Sequence, residues 1–197
     1  MFVQIIEGRT NDAKALAERG EAWQSDVGAG AVGFLGVTAG ATADGKAITI
    51  ARFESEEAAR ANSERPEQGA WWADTAKLYD GEPTFTESSD VTEWLGGGSN
   101  DAGFVQIMKT TGADRAKLEK MDEQFSKFTE LRPDLLGGVR IWTGKDTCVE
   151  VAYFTSEEEA RKGEKAEMPD DLQKLMEGLG EAMGQVEYLD LTDPHLR

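Results

Sequence analysis

The chain predicts an α+β fold built from two fused β-α-β-β-α-β units, and three observations predict it. Phe2-Val-Gln-Ile5 returns as Phe104-Val-Gln-Ile107, and Phe53-Glu-Ser-Glu-Glu-Ala-Ala-Arg60 is matched by Phe154-Thr-Ser-Glu-Glu-Glu-Ala-Arg161. The elements around these anchors also follow one order in both halves. Equivalent residues lie 102 positions apart at the first anchor and 101 at the second, so insertions and deletions nearly cancel. A chance tetrapeptide would not preserve a second anchor and the element order as well, and self-similarity at a fixed spacing signals duplication. The expected organisation is a first repeat over 1–95, a glycine-rich linker over 96–103 and a second repeat over 104–197.

Phe2 to Glu7 alternates β-forming residues and reads as a buried strand. Asn11 or Asp12 can cap the helix that follows, where Ala13, Leu16, Gly20, Trp23 and Val27 form one apolar stripe at three- and four-residue steps. Ala31 to Thr38 and Ala47 to Phe53 flank the turn signal Ala43-Asp44-Gly45-Lys46 and predict a hairpin. Ser55 ahead of Glu56 and Glu57 is an N-cap with acids placed to meet the helix dipole. Pro66 restarts a helix carrying Trp71, Trp72, Ala76 and Tyr79, and Thr84 to about Leu95 supplies a last strand. In the second half, Leu118, Met121, Phe125, Phe128 and Leu131 stripe the first helix, and Gly144-Lys145-Asp146 turns a hairpin from Leu135 to Phe154. Ser156 and Glu159 have capping-box spacing, Pro169 opens the last helix, and Gln185 to Leu191 closes the sheet.

Such a unit forms a four-stranded antiparallel sheet with both helices on one face. Its strands are apolar on both sides, as Val3 and Ile5 against Phe2 and Ile6 show, so the other face needs a cover. A second sheet is the natural one, and two fused units supply each other's. One chain would then act as a pseudo-dimeric monomer, with a homodimer as the alternative.

Composition narrows the function classes. The 38 acidic against 21 basic residues give a formal charge of −17, which repels phosphate backbones and anionic lipid, so no nucleic-acid or membrane partner is expected. A lone cysteine, Cys148, cannot close an internal disulfide, and neither a signal segment nor a spanning run is visible, so a cytoplasmic setting is expected. Hydrophobic residues at 39% suit a folded globular chain.

The element order, together with the run Phe53-x-Ser-Glu-Glu-Ala-Ala-Arg60 followed by Asn62 and Trp71-Trp72, resembles the ferredoxin-like, dimeric α/β-barrel proteins, especially those with an antibiotic-biosynthesis-monooxygenase domain. The resemblance covers nearly all of both halves and implies two antiparallel sheets packed as an intramolecular α/β barrel. That group includes cofactor-independent oxygenases, haem-degrading enzymes, isomerases and proteins with no known reaction, so the resemblance is specific for fold and not for activity.

Among candidate sites, His195 near the C-terminal end of the sequence reads as a tail residue rather than a haem ligand. Cys148 has no histidine neighbour in sequence to activate it and reads as a core thiol. Glu56-Glu57 and Glu157-Glu158-Glu159 sit at helix starts, and no calcium-loop spacing is present, so no metal site is expected. The remaining group is Asn62, Trp72 and Arg52 as catalytic candidates, with Trp71, Tyr79, Trp142 and Tyr153 as ligand-binding candidates. Indole faces stack on flat rings, while an amide and a guanidinium hydrogen-bond a carbonyl or phenolate oxygen. In the resembled oxygenases the substrate itself supplies electrons to O₂, which implies no cofactor. Two readings therefore stand: a cofactor-independent oxygenase of a small aromatic or polyketide-like molecule, and a non-catalytic small-molecule binder or structural barrel.

Overall fold

A computed structural model describes residues 1–122 and 132–197. The chain divides into two compact units, Met1–Val91 with Asp193–Arg197, and Thr92–Thr192. Each holds one five-stranded antiparallel sheet, and six helices occur among the described residues, giving the expected α+β class.

In the first unit the elements are β1 (Phe2–Arg9), α1 (Ala13–Asp26), β2 (Phe34–Ala41), β3 (Lys46–Phe53), α2 (Glu56–Ser63), α3 (Pro66–Thr75) and β4 (Thr84–Ser88). The local signals act as expected. Asp12 accepts from the Ala15 amide at 2.9 Å and Ser55 from the Ala58 amide at 3.2 Å, each satisfying a helix-start donor that has no partner within the helix. α3 stops at Thr75, and Tyr79 lies beyond a short 3₁₀ turn in extended backbone instead of on the helix.

The second unit carries β5 (Val91–Trp94), β6 (Phe104–Thr111), α4 (Arg115–Asp122), β7 (Leu135–Trp142), β8 (Thr147–Phe154), α5 (Glu157–Glu164), α6 (Asp170–Met183) and β9 (Gln185–Leu191); β10 (His195–Leu196) returns to the first sheet. Leu118 is buried as its stripe requires, while Phe125, Phe128 and Leu131 lie outside the described residues. Only half of the capping box forms. Ser156 accepts from the Glu159 amide at 3.2 Å, but the Glu159 carboxylate takes Lys162 at 2.7 Å.

The strand orders are β10-β2-β3-β1-β4 and β5-β7-β8-β6-β9. The four-stranded expectation thus gains one strand per sheet, and the strand expected over Thr84–Leu95 is two strands in different sheets. Its break has a local cause, because the Ser88 hydroxyl accepts from the Asp90 amide at 3.0 Å and turns the chain. The hairpins match residue for residue: Gly36 and Gly137 occupy equivalent bulges after Phe34 and Leu135, both at φ 153°, where a Cβ would be strained.

Alternation sorts each strand into two faces. One face meets the helices, since Phe2 and Phe53 cluster with Ala59 of α2, and Phe104 and Phe154 with Ala160 of α5. The opposite face carries Val3, Ile5, Ile48 and Ile50 in the first unit and Val105, Ile107, Val149 and Val151 in the second, all buried.

Candidate functional site

The residues expected to form a site are distributed over both faces. Asn62, near the end of α2, is only 6% exposed, and its Oδ1 accepts from Arg65 Nη1 at 3.0 Å. Arg65 Nη2 also donates to the Val27 carbonyl at 2.8 Å, and its guanidinium lies so close to Gly30 that a side chain there would collide with it. Asn62 thereby joins α2 to the loop before β2.

Trp72 on α3 meets Phe85 of β4 edge-on, with ring centroids 5.2 Å apart, and Tyr79 at 6.2 Å. Tyr79 is buried, and burial pushes its phenol up from the ordinary tyrosine range, while a hydrogen bond with Thr49 opposes that shift. Phe85 is 53% exposed although it lies on the helix face, because β4 is the outer strand. Trp71 faces elsewhere: the Arg19 guanidinium stands 4.9 Å over its ring, and its buried Nε1 has no hydrogen-bond partner.

Arg52 adjoins Phe53 in β3 and therefore points to the opposite face, away from Asn62 and Trp72. Its Nη2 donates to the Arg197 carbonyl at 3.2 Å, which ties β10 to the sheet, while its Nε is buried without a partner. The structure therefore brings Trp72 and Tyr79 together with Phe85. It separates Arg52 from them by the thickness of the sheet and commits Asn62 to Arg65.

Both sequence anchors meet in space. Gln4 of the first anchor donates to Glu87 on β4 at 2.8 Å, and Arg60 of the second donates to the same carboxylate at 3.0 Å. The amide of Gln4, then Arg60, holds the Glu87 carboxyl below the ordinary glutamate range. In the second unit Gln106 donates to Asp190 at 3.0 Å and Arg161 pairs with that carboxylate. This glutamine–acid–arginine clamp fastens the outer strand to the first strand and the capped helix, and it accounts for the glutamine and the arginine of the repeated motifs.

Trp142 and Tyr153 are both buried but occupy opposite faces of the second sheet. Trp142 packs with Leu118, Cys148 and Met183 beneath the Arg115 guanidinium at 4.8 Å, whereas Tyr153 shares its face with Val151 and Val149. Burial raises the Cys148 thiol, and Thr110 Oγ1 lies 3.0 Å from its sulfur, as expected of a core thiol.

A buried charge cluster in this unit lay outside the expected set. Arg140, 1% exposed, directs Nε to Glu150 Oε2 at 2.6 Å and Nη2 to Oε1 at 3.1 Å, while Nη1 donates to both oxygens of Asp122 at 2.8 Å. Trp94 Nε1 of β5 donates to Glu150 Oε1 at 3.0 Å. Burial pushes the Glu150 carboxyl up, opposed by Arg140. Counting outward from the Gly144–Asp146 turn pairs Arg140 with Glu150 directly, so a signal for this pair was present in the sequence.

The second unit also has a shallow groove of about 370 Å³ beside Asp134, Lys162 and Gly163. Its charges are engaged, Asp134 by Arg132 at 2.8 Å and Lys162 by Glu158 and Glu159. His195 sits half-buried on β10 opposite Ala39, and burial, then Arg197, lowers its imidazole below the ordinary range. Among the described residues no group of three or more metal-ligating side chains converges, and no helix is long and apolar enough to cross a membrane.

No protein-family model matches the sequence, and no curated protein matches it. Solved structures do match over the full chain. A candidate monooxygenase from Fusobacterium nucleatum superposes with a TM-score of 0.75 at 10% identity, covering 100% of this chain and 93% of that one. A candidate monooxygenase from Lactobacillus acidophilus gives 0.71 at 12%, with 100% and 99% covered. An anthrone oxidase-like protein gives 0.64 at 11%, with 100% and 92% covered. The chain shares its fold with these monooxygenase-like proteins.

Proposed function

We propose that the chain binds a flat, electron-rich small molecule, an aromatic or polyketide-like compound, and oxygenates it without a cofactor. The observation that carries this reading is the aromatic group at the outer edge of the first sheet. The Phe85 ring is half exposed, Trp72 stands edge-on beside it, and Tyr79 backs Trp72. A planar ligand gains stacking area there at little conformational cost. Glu87 lies two residues from Phe85 on the same face, and its oxygens face Gln4 and Arg60, so a hydroxyl-bearing ring would find a polar margin.

The chemistry needs little from the protein. A methylene between two rings becomes a carbonyl as it takes one oxygen atom of O₂, and the other atom leaves as water with the two methylene hydrogens. All the electrons come from the substrate, so binding and polarisation are the protein's contribution. The likeness of the whole chain to an anthrone oxidase-like protein supports this choice of substrate class. The lone buried thiol Cys148 fits a reducing, cytoplasmic setting, and duplication fits a pseudo-dimeric monomer.

The test is O₂ uptake with an anthrone or a hydroquinone, comparing the unmodified chain with Trp72→Ala. Turnover reduced at least tenfold by Trp72→Ala, with folding intact, supports the reading; absence of uptake with either substrate class overturns it. A second reading, a non-catalytic binder, is favoured by one observation: the Asn62 amide oxygen is already taken by Arg65 and is not presented to a ligand. Quenching of Trp fluorescence by the anthrone with no product formed would select this second reading.

A further inference from the structure

Each sheet is completed by a short strand that lies 101 residues from its counterpart. β5, at the end of the first repeat, pairs with β7, and β10, at the end of the second, pairs with β2. The two edges are close copies, because Gly36 and Gly137 form matching bulges and the hairpin registers agree throughout. Backbone hydrogen bonding alone therefore gives either short strand no reason to choose its sheet.

The side chains supply a reason. Trp94 of β5 lays its indole over Gly138, so closely that a Cβ on Gly138 would overlap the ring. Its Nε1 donates to Glu150, which Arg140 holds from the neighbouring strand while Asp122 of α4 engages the rest of the guanidinium. At the equivalent places the first sheet has Val37 for Gly138, Thr49 for Glu150 and Ala39 for Arg140. The equivalent of Trp94 on β10 is His195, a smaller ring that pairs across from Ala39. The first sheet folds with uncharged residues at these positions, so the fold does not require the buried charges. A buried ion pair adds little net stability but can specify which partner fits.

We propose that Trp94, Gly138, Glu150 and Arg140 form an address that directs β5 to the second sheet, and that Val37 and Thr49 deny β5 the matching place on the first. Gly138 provides the space, and Glu150 provides the acceptor that the buried indole N–H finds there. Arg140 holds that carboxylate in place through two hydrogen bonds, and Asp122 engages the rest of the guanidinium. The address excludes the pairing in which β5 folds back onto β2 of its own repeat, which would leave β7 and β10 open to a second copy of the chain.

Hydrogen exchange on the full chain, followed separately over β5 and β10, tests the assignment. Gly138→Val is expected to speed exchange of the β5 amides roughly tenfold or more while β10 keeps its protection. Trp94→Phe, which retains a ring over Gly138 but loses the N–H, is expected to fall between that variant and the unmodified chain. It decides the matter if Gly138→Val does not fold. In the reciprocal experiment His195→Trp places an indole where Val37 leaves no seat, so β10 should lose protection, and adding Val37→Gly should restore it. Unchanged β5 exchange in Trp94→Phe, or β10 protection in His195→Trp equal to that of the unmodified chain, overturns the address.

Discussion

The two units share a scaffold yet fill the space between sheet and helices differently, and the difference separates what the fold requires from what each copy adds. Both contain the clamp of glutamine, outer-strand acid and helix arginine: Gln4, Glu87 and Arg60 in one, Gln106, Asp190 and Arg161 in the other. Both also place a guanidinium at the end of the capped helix, but it arrives from opposite directions. In the first unit Arg65 reaches from between α2 and α3 to Asn62 and packs on Gly30. In the second Arg132 reaches from the loop before β7 to Asp134 and the Ala160 carbonyl, and packs on Gly163, the counterpart of Asn62. One structural need is met by two sequences. Asn62 therefore has a counterpart in architecture, although it has none in chemistry. The cluster of Arg140, Glu150 and Asp122 is different, since nothing in the first unit replaces it.

The largest expected effect follows from that asymmetry. Glu150→Ala leaves Arg140 buried against a single carboxylate and is expected to destabilise the second unit by about 3–5 kcal/mol. Installing the first unit's pair, Arg140→Ala with Glu150→Thr, should destabilise it less than Glu150→Ala alone, as read by urea unfolding. A double variant at least as damaging as the single one would mean that the charges hold the fold together. Next, Asn62→Ala strips Arg65 of a partner and should lower stability by about 1–3 kcal/mol with turnover of any substrate retained. Lost turnover at unchanged stability would return Asn62 to the chemistry.

Smaller and equal effects are expected at the shared clamp. Gln4→Ala and Gln106→Ala each remove one hydrogen bond to a carboxylate, for about 1 kcal/mol, and a clear inequality between them would show that the copies have diverged there too. The weakest expected signal is in the pH dependence, where the two units have opposite signs. The Glu87 carboxyl is lowered in the folded chain, so its contribution is present above the ordinary glutamate range and is lost as pH falls through its folded value. The Glu150 carboxyl is raised by burial, so stability falls as pH rises from the ordinary glutamate range toward its folded value. Glu87→Gln should flatten the acid-side loss and Glu150→Gln the opposite slope, measured as urea midpoints from pH 3 upward; slopes of one sign in both variants would contradict this assignment.

Much of the fold was legible in the residues, and less of the site. The caps at Asp12, Ser55 and Ser156, the hairpin turns and the buried strand faces are local or periodic features, and they appear where alternation and capping chemistry place them. Arg140 and Glu150 were also legible, because a hairpin turn sets which residues stand opposite. Two opposite charges that face each other inside otherwise apolar strands mark the pair. Arg52 was separated from Trp72 by strand parity, which adjacency to Phe53 already encodes. The exposure of Phe85 is not legible in the sequence, because exposure on an outer strand depends on which strand ends the sheet.

The sequence by itself determined the repeated motifs, the helix caps, the α+β class and the apolar faces of the central strands, because these follow from spacing and periodicity along the chain. Tertiary structure alone decided that Gln4, Glu87 and Arg60 meet, that Asn62 serves Arg65, and that Thr84 to Leu95 is shared between two sheets. It also decided that Trp94 finds its place over Gly138. These outcomes depend on contacts between residues far apart in the chain, where shape and the pairing of buried polar groups select one partner among several that local propensity leaves equivalent.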